Sequence, residues 1–356
     1  MRGLWITALI AALAAPAVAE PNATEIKRAY TAAVTWLVVH QSPDGRWDAD
    51  GWSRKGDDWP HEGNEFGDAR YDVGLTGLAV LALLETEQPG DEVKAALAKG
   101  LEWLKTQQLV DGSVGYQASQ GESIYNHALA TLAFCRAVAK KHAVEDAAQR
   151  GLEFCAKARN PGFGWKYGIK SGRNDTSVTS VMLLCLRAGK RAKLKVEPFY
   201  AECWKGGTNW IAEATANNGE VGYETPGGGS AYLAQNEGMF DPLPVMNATA
   251  LHALGGDAQE AGALAQHLSQ ALPTWGGADG SRKVNFYYWY HGALGLKAVG
   301  GEGWRAWKAS VLEALLPNQA GKGAQEGSWP PVGEWCLAGG RVYATAINAL
   351  TVSACR

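Results

Sequence analysis

Gln41-Ser-Pro-Asp-Gly-Arg-Trp47, Asp111-Gly-Ser-Val-Gly-Tyr116, Gly162-Phe-Gly-Trp165, Gly219-Glu-Val-Gly-Tyr223, Trp275-Gly-Gly277 and Gly327-Ser-Trp329 are one phrase written six times: a glycine-rich turn that carries an aromatic. The copies recur at intervals of roughly 50 to 70 residues, the signature of one supersecondary unit stacked repeatedly. Each turn is flanked by helix-like stretches, so the spacing predicts a helical repeat protein.

The stretches between the turns are of two kinds. In residues 91–105, Val93, Leu97, Leu101 and Leu104 fall on one stripe while Asp91, Glu92, Lys94, Lys99 and Lys105 lie elsewhere. Residues 145–157 and 302–316 behave alike, and such helices keep one wet face. Residues 73–84, 128–138, 178–186, 248–254, 293–299 and 344–352 are apolar nearly all round, which implies burial on every side. The two kinds alternate strictly. Outer helices are predicted to begin near Thr24, Asp91, Glu145, Glu197, Gln259 and Glu302, and inner ones near Tyr71, Tyr125, Asp175, Val245, Tyr287 and Arg341. Alternation makes all inner helices parallel neighbours. Stacked pairs form either an open solenoid or a closed ring, and an open solenoid needs polar caps. Residues 342–352 are too apolar to cap anything. The predicted fold is therefore all-α, an (α/α)6 toroid with six inner and six outer helices.

The first nineteen residues read as a secretory signal: Arg2, an apolar run from Leu4 to Ala15, and Ala17-Val18-Ala19 before the cut. The run is too short to span a bilayer. Residues 20–356 then form a single domain, exported to a periplasm or the outside, with no later membrane span. The whole chain carries 33 basic and 36 acidic side chains and no basic run, which argues against a nucleic-acid partner. Fifteen tryptophans imply a large packed core or an aromatic-lined cavity. Six cysteines in an exported chain permit disulfides, but equally suit small buried positions on helices. No CxxC or Cys/His cluster marks a structural zinc site.

Gln41-x-x-x-Gly45-x-Trp47 resembles the repeat motif of squalene cyclases, and Tyr71-Asp-Val-Gly-Leu-Thr-Gly-Leu-Ala79 looks like an inner-helix start of that superfamily. Phe286-Tyr-Tyr-Trp-Tyr-His291, Gly327-Ser-Trp-Pro330 and Gly339-Gly-Arg-Val-Tyr-Ala-Thr345 are similar to the C-terminal half of exported bacterial proteins with prenyltransferase and squalene oxidase repeats. The resemblance implies the toroid fold across nearly all of the mature chain. It does not carry over an activity. The Asp-x-Asp-Asp acid of the cyclases is missing, as are the Asp-x-Cys zinc ligands of protein prenyltransferases, although His291 matches their histidine position. The Cys-Gly-Glu-Gln of complement-like thioester domains, which share the fold, is missing too. No metal and no cofactor is expected.

Aligning the inner helices on Leu78, Leu132, Val181, Leu251, Leu296 and Leu350 stacks their first turns. One layer then holds Val73, His127, Thr176, Met246, His291 and Thr345, and the layer before it holds Asp72, Asn126, Asp175, Val245, Tyr290 and Ala344. Converging helix N-termini are a seat for an anion or polar ligand. Asp72, Asn126, His127, Asp175, Tyr290 and His291 are accordingly the candidate ligand-binding residues at one mouth of the barrel, with His127 and His291 facing a shared space. Asp72, Asn126 and Asp175 also sit where helix caps belong. Trp47, Trp165 and Trp329 are expected to clamp hairpins together, and residues 286–290 to wall the mouth. The polar connection 53–70 and the flexible Pro226-Gly-Gly-Gly-Ser230 match no metal or phosphate loop. The expected function is a module that binds a small molecule, glycan or protein at the cavity mouth. An enzyme acting on an isoprenoid-type substrate, or on a polysaccharide, is the alternative.

Overall fold

Strict alternation of two helix types becomes a double ring in the computed structural model, which describes residues 22–51, 65–229, 242–256, 261–276, 284–333 and 335–356. Among the described residues there are twelve α-helices: α1 (Ala23–Val39), α2 (Asp72–Leu84), α3 (Asp91–Thr106), α4 (Ile124–Ala139), α5 (Glu145–Ala158), α6 (Thr176–Arg191), α7 (Glu197–Glu213), α8 (Pro242–Leu254), α9 (Ala261–Ser269), α10 (Phe286–Val299), α11 (Gly301–Leu315) and α12 (Cys336–Ala354). Extended structure among these residues is confined to isolated bridges such as Gln108 with Val114 and Thr215 with Val221. No described helix is long and apolar enough to cross a membrane.

The even-numbered helices form the inner ring. α2 packs on α4, α4 on α6, α6 on α8, α8 on α10, α10 on α12, and α12 returns to α2. Every residue of α2 is buried, as its all-apolar composition requires, whereas α3 buries only Ala96, Leu97, Gly100, Leu101 and Leu104. Each inner helix carries the outer helix that follows it, and the last inner helix, α12, carries the first outer helix, α1. Ends far apart in the chain thus close the ring. Trp36 donates its indole N–H to the Ala324 carbonyl at 3.2 Å, and Gln319 donates to the Ala29 carbonyl at 2.8 Å. Arg341 forks onto both carboxylate oxygens of Glu65 at 2.6 Å. Just before it Gly340 adopts φ +57°, and a Cβ there would meet the Glu65 carbonyl oxygen at 2.6 Å. That kink starts the straight part of α12 at Arg341, where the sequence places an inner helix.

The repeated turn tryptophans act as clamps. Trp47, Trp165 and Trp329 are buried, and their indoles donate to the carbonyls of Leu37, Cys155 and Leu315 near the ends of the preceding outer helices. Their backbone N–H groups donate to Thr76, Thr179 and Thr345 in the following inner helices. One residue, through its indole and its backbone N–H, thereby ties an outer helix, a turn and an inner helix. All six cysteines are free thiols and buried.

The two ends of the barrel differ. Connections from outer to inner helices are long, for example 107–123 and 159–175, and gather at the N-terminal ends of the inner helices. Connections from inner to outer helices are short, such as 85–90 and 140–144.

Candidate functional site

At the N-terminal mouth, the proposed ligand residues are largely occupied with holding the fold. Asp175 caps α6, accepting from Val178 N at 2.7 Å, and its other oxygen accepts from the Tyr223 hydroxyl at 3.2 Å. Burial pushes this carboxyl up to about 7. Asp72 is the first residue of α2 rather than its cap, and accepts from Ala49 N at 2.8 Å. Burial raises it to about 7 as well. Asn126 bridges two inner helices, accepting from Gly74 N and donating to the Arg70 carbonyl. Around them runs a chain of hydroxyls: Tyr125 donates to Ser177, Ser177 pairs with Tyr287, and Tyr167 pairs with Tyr223. Lys166 forms an ion pair with Glu224 and lies over the rings of Tyr167 and Tyr223.

The two histidines do not share a space. His127 turns outward against α5, its ring 4.6 Å from that of Phe154 and its Nε2 3.3 Å from Cys155 Sγ. Its Nδ1 accepts from Val114 N, the same service Thr76 and Thr179 perform for Trp47 and Trp165. The layers drawn from Leu78 and its partners are therefore out of step. Thr76 and Thr179 sit three residues beyond Val73 and Thr176, the positions matched to His127. His291 lies inside the ring instead, its Nδ1 2.8 Å from Nδ1 of His252 on α8. The aromatic run divides by helical period. Tyr287 lies tilted against His291 and Tyr290 meets it edge-on, while Phe286 and Trp289 pack on Trp275 and Tyr288 packs on Trp307. Asp57, Asp58, His61 and Glu62 of the 53–70 connection lie outside the described residues. Glu65 serves Arg341, and Asp68 pairs with Arg70.

The opposite mouth holds a cavity of ≈ 330 Å³ to which all six inner helices contribute. Its deeper wall is apolar: Leu81, Leu132, Leu184, Leu294 and Leu350, with Tyr290 and His252. Its rim carries Arg136, Arg187, Arg191 and Lys297 against one carboxylate, Glu85. From Tyr290 to Lys297, the part of α10 that lines the cavity, the helix rises roughly 10 Å at 1.5 Å per residue. The well is thus about as deep as a short hydrocarbon chain.

Helix ends put the cations there. Last-turn carbonyls carry partial negative charge and unsatisfied acceptors, which hold basic side chains. Lys297 donates to the Ala354 carbonyl at 2.6 Å, and Arg187 to the Ala253 carbonyl at 3.0 Å. Arg136 pairs with Glu85. Burial, then His291, then Arg187 and Arg136 push His252 well below the usual histidine range. Burial lowers His291 to about 3, so the pair is neutral. Burial also lifts the Tyr290 phenol to about 12. Among the described residues, no three His, Cys, Asp or Glu side chains are grouped to hold a metal ion. A shallower groove of ≈ 660 Å³ follows the outer face of α1 beside Gly323–Glu326, away from the barrel.

Of the six residues read from the sequence, Tyr290 lines this cavity and His291 stands behind it through His252. Asp72, Asn126, His127 and Asp175 belong to the other end or to the outer-helix contact. The rim was hidden because each of its cations, read alone, is an ordinary last-turn base. Reading the last turns of all inner helices as one ring was the available signal.

Residues 2–184, just over half of the chain, match the family model described as the A-macroglobulin TED domain. No curated protein sequence matches. Among solved structures, the type II terpene cyclase MstE from Scytonema is similar at 15% identity over 94% of this chain and 98% of its own, with a TM-score of 0.58. An α-amylase from Clostridium perfringens is similar at 10% identity over 92% and 97%, with a TM-score of 0.60. An unsaturated glucuronyl hydrolase specific for heparin is similar at 13% identity over 94% and 96%, with a TM-score of 0.55. At these identities the likeness concerns the fold alone.

Proposed function

The chain belongs to the A-macroglobulin TED domain family, and on that premise we propose that it is an exported binding module whose barrel takes up a small ligand with an anionic head and an apolar body. The observation that carries this reading is the cavity shared by all six inner helices, with leucine walls below a rim of Arg136, Arg187, Arg191 and Lys297. Apolar walls gain about 25 cal/mol for each Å² of ligand surface they cover. A cationic rim beside low-dielectric walls attracts and orients an anion. Export is supported by Arg2, the apolar run and Ala17-Val18-Ala19. Covalent thioester chemistry has no part in the reading, because the sequence contains no Cys-Gly-Glu-Gln.

Calorimetric titration with decanoate, compared with the neutral decanol, tests it. Decanoate binding that weakens about tenfold in Arg187→Met and falls with added salt is the expected result. Equal binding of acid and alcohol, or none of either, refutes the reading. An enzyme is the second reading, favoured by one observation: Asp175 is a carboxyl that burial pushes up to about 7 beside Tyr223, a direction suited to general acid work.

A further inference from the structure

Two of the six buried thiols face one another across the contact between α5 and α6. Gly189 of α6 lies against Leu152 of α5, where an added Cβ would come within 2.5 Å of Leu152 Cδ1. The two helices therefore approach closely there. Stepping three residues forward from Leu152 and four back from Gly189 reaches Cys155 and Cys185. The two thiols are neighbours: Cys185, together with burial, pushes the Cys155 thiol well above the usual thiol range. Both are also anchored to the first turn of α4. His127 Nε2 lies 3.3 Å from Cys155 Sγ, and the Cys185 thiol donates to the Ala128 carbonyl at 3.1 Å.

His127 is the unusual member of this group. Its counterparts in other repeats, Thr76, Thr179, Asn247 and Thr345, likewise satisfy a turn N–H, and His127 adds to that service a contact with a sulfur. Because Nδ1 accepts from Val114 N, the neutral ring carries its proton on Nε2 and donates it to Cys155 Sγ. Cys185 and burial hold the Cys155 thiol protonated in the finished fold, and the His127 donor opposes them, favouring the thiolate that attacks disulfides while the site is still open to solvent.

We propose that Cys155 and Cys185 are joined as a disulfide in the exported protein, formed with His127 as the positioning residue. Cys155 loses its proton to solvent, and the thiolate held by His127 attacks a disulfide-bearing oxidant of the thiol-exchange class. One sulfur of the oxidant leaves as a thiol. Cys185, deprotonated in turn, displaces the second sulfur, which leaves as another thiol. Two protein thiols are oxidised and one external disulfide is reduced. Both side chains are fully buried in the folded chain, so exchange takes place while α5 docks on α6. The bond closes the segment that carries Lys166, Tyr167 and Asp175, and so fastens one side of the N-terminal mouth.

Peptide mapping decides the matter. The full chain, secreted into a bacterial periplasm, is denatured, its free thiols are blocked with N-ethylmaleimide, and it is cut with trypsin without reduction. Residues 151–157 and 174–187 are separate tryptic peptides. The expected result is one linked pair, lighter by two hydrogens than the sum of its parts, with the other four cysteines alkylated. Alkylated Cys155 and Cys185, or Cys155 bonded to a different cysteine, overturns the proposal. The same chain refolded from the reduced, denatured state with oxidised and reduced glutathione gives a second reading independent of export. His127→Thr slows formation of the bond in that refolding at least several-fold without changing the pairing. An unchanged rate there removes the role assigned to His127.

Discussion

Asp175→Asn separates the electrostatic cost of a buried carboxyl from its service as a helix cap. The side chain is fully buried and titrates near 7, against 3.8 for an ordinary aspartate. Between those values the folded chain binds a proton that the unfolded chain has released. Stability from this group is therefore greatest below about pH 4 and is lost as pH rises toward 7, after which the loss is complete. Three pKa units correspond to about 4 kcal/mol at most. Asparagine keeps the shape, still accepts from Val178 N, and its amide can meet the Tyr223 oxygen, so the cap survives. Urea unfolding of both proteins from pH 4.5 to 8.5 should give near-equal stability at the acid end. Measured from that acid end, the variant should gain steadily on the wild type, by about 3 kcal/mol at pH 8. Asp72, which also titrates near 7, remains in both and cancels in the comparison. Parallel curves with a constant offset would show that Asp175 is ionised in the fold, and the argument from burial would fail.

Trp165→Phe should cost about 2–4 kcal/mol in chemical denaturation, since it leaves the Cys155 carbonyl without its indole donor and opens a void. Trp275→Phe, at the half-buried copy of the turn, should cost clearly less; equal losses would mean that clamping is not what the buried copies do. Gly292→Ala drives a methyl to 2.2 Å from Trp307 Cζ2 and should destabilise by about 1–3 kcal/mol. Gly262→Ala meets nothing within 4 Å and should instead stabilise by up to about 1 kcal/mol, both read from thermal melts. Decanoate binding should weaken at least several-fold between low and physiological salt if the rim of Arg136, Arg187, Arg191 and Lys297 attracts the head group; salt-independent binding would assign the affinity to the leucine walls alone.

Much of the fold was legible because its causes are local. A helix apolar on all sides, such as α2, has only one place to go, and the aromatic of each glycine-rich turn announces every repeat. The candidate site was less legible because it depends on register. A change of register by one residue turns a side chain by about 100°, enough to carry it from the barrel interior toward the outer-helix contact, and no local pattern distinguishes the two when both are buried. His127 shows this. It looks like the partner of His291, yet stands where Thr76 and Thr179 stand. The cavity was missed for a different reason: Arg136, Arg187, Arg191 and Lys297 become one rim only after six helix ends are brought to one level.

The pairing of α1 with α12 governs how such a chain reaches its final state. Contacts such as Trp36 with Ala324 span 288 residues, while the steps between neighbouring repeats span about 50. Closing the longer loop costs about 1.6 kcal/mol more in chain entropy. A solenoid settles repeat by repeat from any starting point. Here the first helix meets α2 and α3 early, through Tyr30 on the Ala82 carbonyl and Trp47 on the Leu37 carbonyl, but its face toward α12 stays uncovered until residues 336–354 arrive. Closure of the ring is therefore the step left until last. Truncating α12 leaves a barrel with a missing stave, open along its whole length and exposing the inner face of α1.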